Sequence, residues 1–189
     1  MKYIITIELI LLPIMILVKA VILRRNGIVA LKFSKPDKNA LTLIVIIAGF
    51  VYAASASALG LPFPAFAGKS FWNIHILSVL AIVISSISLI WFGMTLITFG
   101  NSFRIGIDDK TNNRLITTGT FAISRNPVFL AFIAFFLGVF LMYSNMITLT
   151  FLLLLMMMVH RQILKEEIFL KTYYGKEYED YCAKVRRYI

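Results

Sequence analysis

Three stretches of this chain contain no Asp, Glu, Lys or Arg: residues 39–68, 70–103 and 126–159. They are 30, 34 and 34 residues long. A helix needs roughly 20 apolar residues to cross a hydrocarbon core of about 30 Å. Each run therefore reaches across a bilayer, and that constraint dominates the rest. Composition agrees. Hydrophobic residues make up 60% and charged residues 15%, against roughly 45–50% and about 25% in soluble domains. Disorder is excluded. With Gly at 10, Pro at 5 and Cys at 1, so are a collagen-like repeat and a disulfide-stapled domain. The expected fold is all-α: one polytopic integral membrane domain over residues 1–189.

Five spans are expected. The first, near residues 3–23, is interrupted by Glu8 and Pro13, which argue for a retained span rather than a cleaved signal. The second, near 40–59, breaks at Gly60-Leu61-Pro62-Phe63-Pro64 and is followed by a re-entrant or external stretch. The third, near 72–99, is long enough to tilt. The last run would measure about 50 Å as one helix. Its polar cluster Tyr143-Ser144-Asn145 instead predicts a hairpin of two short spans, near 127–143 and 146–160.

The net charge of +10 suggests either an anionic partner such as nucleic acid or basic cytoplasmic loops. Residues 19–38 hold six Lys/Arg, residues 100–125 hold four and the tail after His160 holds seven, while the other side receives only Lys2 and Lys69. That alternation fits five spans with the N-terminus outside and the C-terminus cytoplasmic. No nucleic-acid partner is needed to explain the charge.

Common catalytic signatures are absent. No two glycines lie closer than six residues apart, so there is no dinucleotide fingerprint and no P-loop. His75, His160 and Cys182 make no recognisable metal site. Polar residues instead gather at the cytoplasmic ends of the last three spans. Arg125-Asn126-Pro127 opens the fourth span, where proline is also an ordinary helix start. Glu166-Glu167 follows the fifth, where paired acids are also an ordinary solvated face. The hairpin brings both clusters, and the loop 100–125 with its turn-forming Asp108-Asp109 and Asn112-Asn113, to one end of an apolar bundle. Such a mouth suits a polar cofactor from the cytosol and an apolar substrate from the lipid. Beyond it, Tyr174, Tyr178 and Tyr181 recur at helical spacing, with Gly175 interrupting. Glu8 is an acid inside a span, a functional candidate by default. Its place near the outer end puts the interface within its reach. The run Ala53-Ala54-Ser55-Ala56-Ser57-Ala58 reads as a close helix contact.

Five motifs occur in order: Gly100-Asn101-Ser102-Phe103-Arg104, Arg114-Leu115-Ile116-Thr117-Thr118-Gly119-Thr120-Phe121, Arg125-Asn126-Pro127-Val128-Phe129, Glu166-Glu167 and Tyr174-Gly175-Lys176-Glu177-Tyr178. In this the chain resembles the isoprenylcysteine carboxyl methyltransferases, relatives of the phospholipid N-methyltransferases, over about residues 95–185. The resemblance implies a membrane methyltransferase that uses S-adenosyl-L-methionine without a Rossmann domain. Residues 96–189 would form the core, and 1–95 carry no family signal. It places Asn113, Arg114, Leu115, Ile116, Phe121, Asn126, Pro127, Val128 and Phe129 around the cofactor and Glu166 on its amino group. Arg125, Arg161 and Glu167 would be catalytic. Asn126 stands where the family has His, Phe121 and Phe129 where it has Tyr, Ala131 where Gly is common. Gln162 stands where the family has a substrate-side Arg, with Arg161 beside it. The implied substrate is small and lipophilic or lipid-like. A carboxylate or thiolate nucleophile would need no general base. Two other readings stand: an NADPH-dependent membrane reductase resembling the sterol reductases, and a non-enzymatic transporter or subunit that docks through its tail. Binding of S-adenosylhomocysteine or of NADPH separates the first two, and indifference to Glu166 and Asn126 marks the third.

Overall fold

A computed structural model describes residues 2–28, 38–60, 69–100 and 115–189, with the side chains of 38–40 left aside. Most of the loop 100–125, including Asn113 and Arg114, and the proline pair Pro62 and Pro64 lie outside the described residues. Among the described residues there are six α-helices: α1 (Lys2–Arg25), α2 (Lys38–Leu59), α3 (His75–Phe99), α4 (Pro127–Met142), α5 (Met146–Tyr174) and α6 (Lys176–Lys184). There is no strand among the described residues. In α1, α2, α3 and α5 an apolar stretch is long enough to cross a membrane. With 16 residues, α4 measures about 24 Å. Ile7, Ile90 and Ile97 are 63%, 65% and 79% exposed, a surface suited to lipid rather than water.

The turn between α4 and α5 falls where the polar cluster predicted it. Asn145 caps α5: its Oδ1 accepts from the Thr148 amide at 2.9 Å, and its own amide donates to Thr148 Oγ1 at 3.1 Å. This reciprocal pair satisfies two orphan donors. Asn145 Nδ2 also donates to Ser57 Oγ at 3.1 Å, which ties the turn to α2. There Ala53, Ala54 and Ala56 are fully buried, so the small-residue run is a helix contact. The start of the chain joins the same end, since Tyr143 OH donates to the Lys2 carbonyl at 3.0 Å.

Two boundaries differ from expectation. The third helix starts at His75 rather than near residue 72. The Phe71 amide donates to the Ser144 carbonyl at 2.9 Å and Trp72 Nε1 to the Leu141 carbonyl at 3.1 Å, so these residues brace the turn instead. The fifth helix runs on to Tyr174 rather than ending near 160. Its sequence there is rich in helix formers, and Ile163 stays fully buried. It ends at Gly175, whose φ of 54° costs little without a Cβ. The break leaves Tyr174 on α5 while Tyr178 and Tyr181 are buried on α6, so the three tyrosines do not share one helix.

Glycine sets two of the helix contacts. A Cβ on Gly138 of α4 would stand 2.9 Å from the Ala81 carbonyl and 3.0 Å from the Ser85 amide of α3. On Gly49 of α2 it would meet the Phe151 ring of α5 at 2.5 Å. Glu8 does not turn out to the surface. It is buried against α3, where its two carboxylate oxygens accept from the hydroxyls of Ser85 and Ser86. In lipid, unpartnered polar groups are costly, and two consecutive serines supply the partners.

Gly138→Ala drives a methyl into backbone, which cannot yield. We expect a loss of about 1–3 kcal/mol, read as a lower unfolding temperature in detergent. Gly93→Ala is the control, because its new methyl meets only the flexible end of Met15 at 3.1 Å and should cost far less.

Candidate functional site

The site grows from the start of α4. Asn126 occupies the N-cap position, where an Asn side chain ordinarily caps its own helix. Here it makes no cap bond. Its Nδ2 donates to the Arg187 carbonyl at 3.2 Å and, more weakly, to Glu167 Oε1 at 3.4 Å. Pro127 at the first helical turn needs no N–H partner, and its carbonyl accepts from Trp91 Nε1 of α3 at 3.1 Å.

Adjacent glutamates on α5 are treated in opposite ways. Glu167 takes two guanidinium groups. Arg187 grips it with Nε at 3.0 Å and Nη2 at 2.8 Å, and Arg125 Nη2 approaches to 3.3 Å. Glu166 accepts one hydrogen bond, from Gln162 Nε2 at 2.9 Å, one turn back on the same helix. No cation pairs with it among the described residues. The apolar part of α5 ends at Val159, so Glu166 lies beyond the membrane-spanning stretch. Its side chain keeps some exposed surface, yet the surrounding protein desolvates it. That burial raises its pKa, and the Gln162 bond opposes the shift.

The segment after α6 closes the arrangement. The Arg125 amide donates to the Arg186 carbonyl at 3.0 Å, and Ser124 Oγ to the Arg187 carbonyl at 3.3 Å. Arg125 Nη1 contacts Cys182 Sγ. Tyr181 OH donates to the Phe121 carbonyl at 2.7 Å. Phe121 is buried edge-on against Phe99, with ring centroids 4.7 Å apart. Two buried polar atoms, Arg125 Nε and Thr120 Oγ1, have no partner among the described residues.

Of the residues expected here, the structure brings Arg125, Asn126 and Glu167 into one network, with Glu166 next along the helix. Phe121 stands beside it in a 3-10 turn (Gly119–Ala122). Val128 packs with Phe92 and Leu96, and Phe129 against the main core, so both also hold α4 in place. Leu115 and Ile116 are half-buried in the segment leading in. Arg161 is exposed on α5 and pairs with no described residue.

A family model described as phospholipid methyltransferase matches residues 70–177. The chain belongs to the phospholipid methyltransferase family. This family chain is similar to a probable protein-S-isoprenylcysteine O-methyltransferase of Oryza sativa subsp. indica, 29% identical over 120 residues, or 62% of this chain and 61% of the rice protein. It is also similar to the protein-S-isoprenylcysteine O-methyltransferase of Schizosaccharomyces pombe, 34% identical over 89 residues, or 46% and 38% of the two chains. A third relative is protein-S-isoprenylcysteine O-methyltransferase B of Arabidopsis thaliana, 30% identical over 93 residues, or 48% and 47%. The aligned part thus spans less than two thirds of each of these relatives. No solved structure matches.

Sequence reasoning missed Arg187, Ser124 and Cys182. Arg187 carried a signal only as one of the basic residues of the tail, which topology already explained. Ser124 and Cys182 carried none.

Burial pushes the Tyr181 phenol up to about 12 against the pull of the Arg125 guanidinium. The fold therefore favours the neutral phenol. Its contribution to stability is complete below pH 10, the ordinary phenol value, and is lost as the pH rises toward 12. We expect Tyr181→Phe to cost about 0.5–1.5 kcal/mol at neutral pH through the lost bond to Phe121. The variant should also lose less stability than the parent between pH 10 and 12, measured by denaturation in detergent.

Proposed function

We propose that this protein is an S-adenosyl-L-methionine-dependent methyltransferase of the membrane, acting on a small lipophilic or lipid-like substrate. Family membership and the activity named for the relatives support the reaction class. The observation that carries it to this chain is the contrast between the two glutamates. Glu167 is neutralised, while Glu166 is left desolvated with no cationic partner among the described residues. A carboxylate in that state fits an ammonium ligand, because a charge-assisted bond restores what burial removed.

The remaining donors and walls fit the same cofactor. Bound S-adenosyl-L-methionine supplies a methyl group activated on a sulfonium sulfur. Glu166 holds its amino group. Asn126, whose Nδ2 is engaged, keeps Oδ1 to accept a hydrogen bond. Phe121, Pro127, Val128 and Phe129, with Leu115, Ile116 and the adjoining Asn113 and Arg114, line the cofactor and exclude water. Arg125, whose Nε has no partner among the described residues, and the exposed Arg161 attract an anionic substrate head. Glu167 orients Arg125. A carboxylate or thiolate acceptor needs no base from the protein, while an ammonium acceptor must first lose a proton. The core of this activity is residues 96–189.

Five spans are part of the proposal, with α4 and α5 crossing as a pair and the site on the cytoplasmic side. Charge supports it. Lys2 and Ser70, the neighbour of Lys69, both bond to the 143–144 turn, so the sparse basic residues sit at the end opposite the site. The basic residues after His160 are at the site's end, as cytoplasmic segments are.

The test is calorimetric titration of S-adenosylhomocysteine into detergent-purified protein. We expect micromolar affinity, weakened about 10- to 100-fold by Glu166→Ala, the span for losing one charge-assisted bond. Binding of NADPH in its place, or no nucleotide-type ligand at all by a folded sample, would overturn the proposal.

A further inference from the structure

The residues after α6 are neither helix nor strand, yet they are tied down at four points. The carbonyl of Arg186 accepts from the Arg125 amide at 3.0 Å. The carbonyl of Arg187 accepts from Asn126 Nδ2 at 3.2 Å and Ser124 Oγ at 3.3 Å. The Arg187 side chain forks onto Glu167. Tyr188 OH lies 2.7 Å from His160 Nδ1, and its ring packs on the main core. Every hydrogen-bonded partner lies in residues 124–126, which lead into α4, or on α5 from His160 onward, the two elements that carry the proposed site.

We propose that residues 185–189 are a clasp across these two helix ends and that Arg187 is a positioning residue, holding Asn126 and Arg125 in place by neutralising Glu167. This rests on the methyltransferase reading. Arg187 is the closer partner of Glu167, with both Nε and Nη2 within 3.0 Å, while Arg125 offers a single contact at 3.3 Å. Glu167 is only 13% exposed, so removing its main partner leaves a largely buried carboxylate with Arg125 as its one remaining cation among the described residues. It then draws Arg125 closer. Arg125 cannot follow without loosening its contact to Cys182, and its backbone carries Asn126 with it. The charge count makes the idea testable. Two guanidinium groups against one carboxylate leave the cluster net positive. Removing Arg187 and the Glu167 charge together leaves Arg125 as a lone cation with no buried carboxylate to pull it. Tyr178, Tyr181, Tyr188 and Cys182 are the other titratable groups facing this cluster among the described residues.

The experiment compares the full-length protein with Arg187→Met, Glu167→Gln and the double variant Arg187→Met/Glu167→Gln. Two quantities are measured: S-adenosylhomocysteine affinity and hydrogen exchange at the Arg125 amide. We expect Arg187→Met to weaken affinity about 10- to 100-fold, the scale of a small misplacement of binding groups, and to speed exchange at Arg125. The double variant should recover much of both, because no carboxylate is left to draw Arg125 out of place. Wild-type affinity and unchanged exchange in Arg187→Met would overturn the clasp. So would equal losses in the single and double variants, which would mark Arg187 as packing alone. Should the parent protein bind no S-adenosylhomocysteine, the methyltransferase reading fails by itself. The exchange rates at Arg125 still judge the clasp, and no acceleration in Arg187→Met would refute it.

Discussion

The Asn145 side chain holds two apolar helices back to back. Its reciprocal bonds with Thr148 end one run of lipid-compatible sequence and start another within three residues. Ser144 and Asn145 are buried, so backbone groups released at this turn must find their partners within the protein. Once the turn is made, antiparallel geometry does the rest. The start of α4 and the polar half of α5 must lie at the same end, which is how Asn126 and Glu167 come within reach although 41 residues separate them. The bond from Asn145 to Ser57 and the glycine contacts between α3 and α4 seat the pair in the bundle.

Electrostatics then divides the labour at the site end. Two acids adjacent in sequence point around α5 by about 100°, so they meet different surroundings. One finds two arginines, the other a glutamine. A paired carboxylate gives structure, while one that meets no cation among the described residues is the one proposed to hold a cationic group. The same logic explains why Asn126 forgoes its cap. Its donors serve the tail and Glu167, so the helix start is held by tertiary bonds rather than by its own side chain.

Much of this was legible in the sequence. Uncharged length identified the helices, and Tyr143-Ser144-Asn145 located the turn because the run is too long for one span and this is the polar cluster near its middle. Arg125, Asn126 and the glutamates could be singled out from their position at the ends of spans. Helix ends were less legible. Trp72 reads as a span residue because its aromatic ring suits a bilayer, while its indole bond and the Phe71 amide bond to the turn are tertiary. The helical run of α5 past His160 is propensity and packing together, and only the first is visible in sequence. Arg187 was hidden by its own charge, since a basic tail already had a topological explanation. Glu8 shows the same limit from the other side: the acid was conspicuous, but the serines that accept it into the bundle are one helix away.

The most direct measurement is photochemical labelling of the intact protein in membranes with methyl-labelled S-adenosyl-L-methionine, followed by peptide mapping. The label should fall in peptides from residues 113–129 and 160–187, and excess S-adenosylhomocysteine should abolish it. Label confined to residues 1–60, or label unaffected by the competitor, would contradict a cofactor site built between the start of α4 and the polar half of α5.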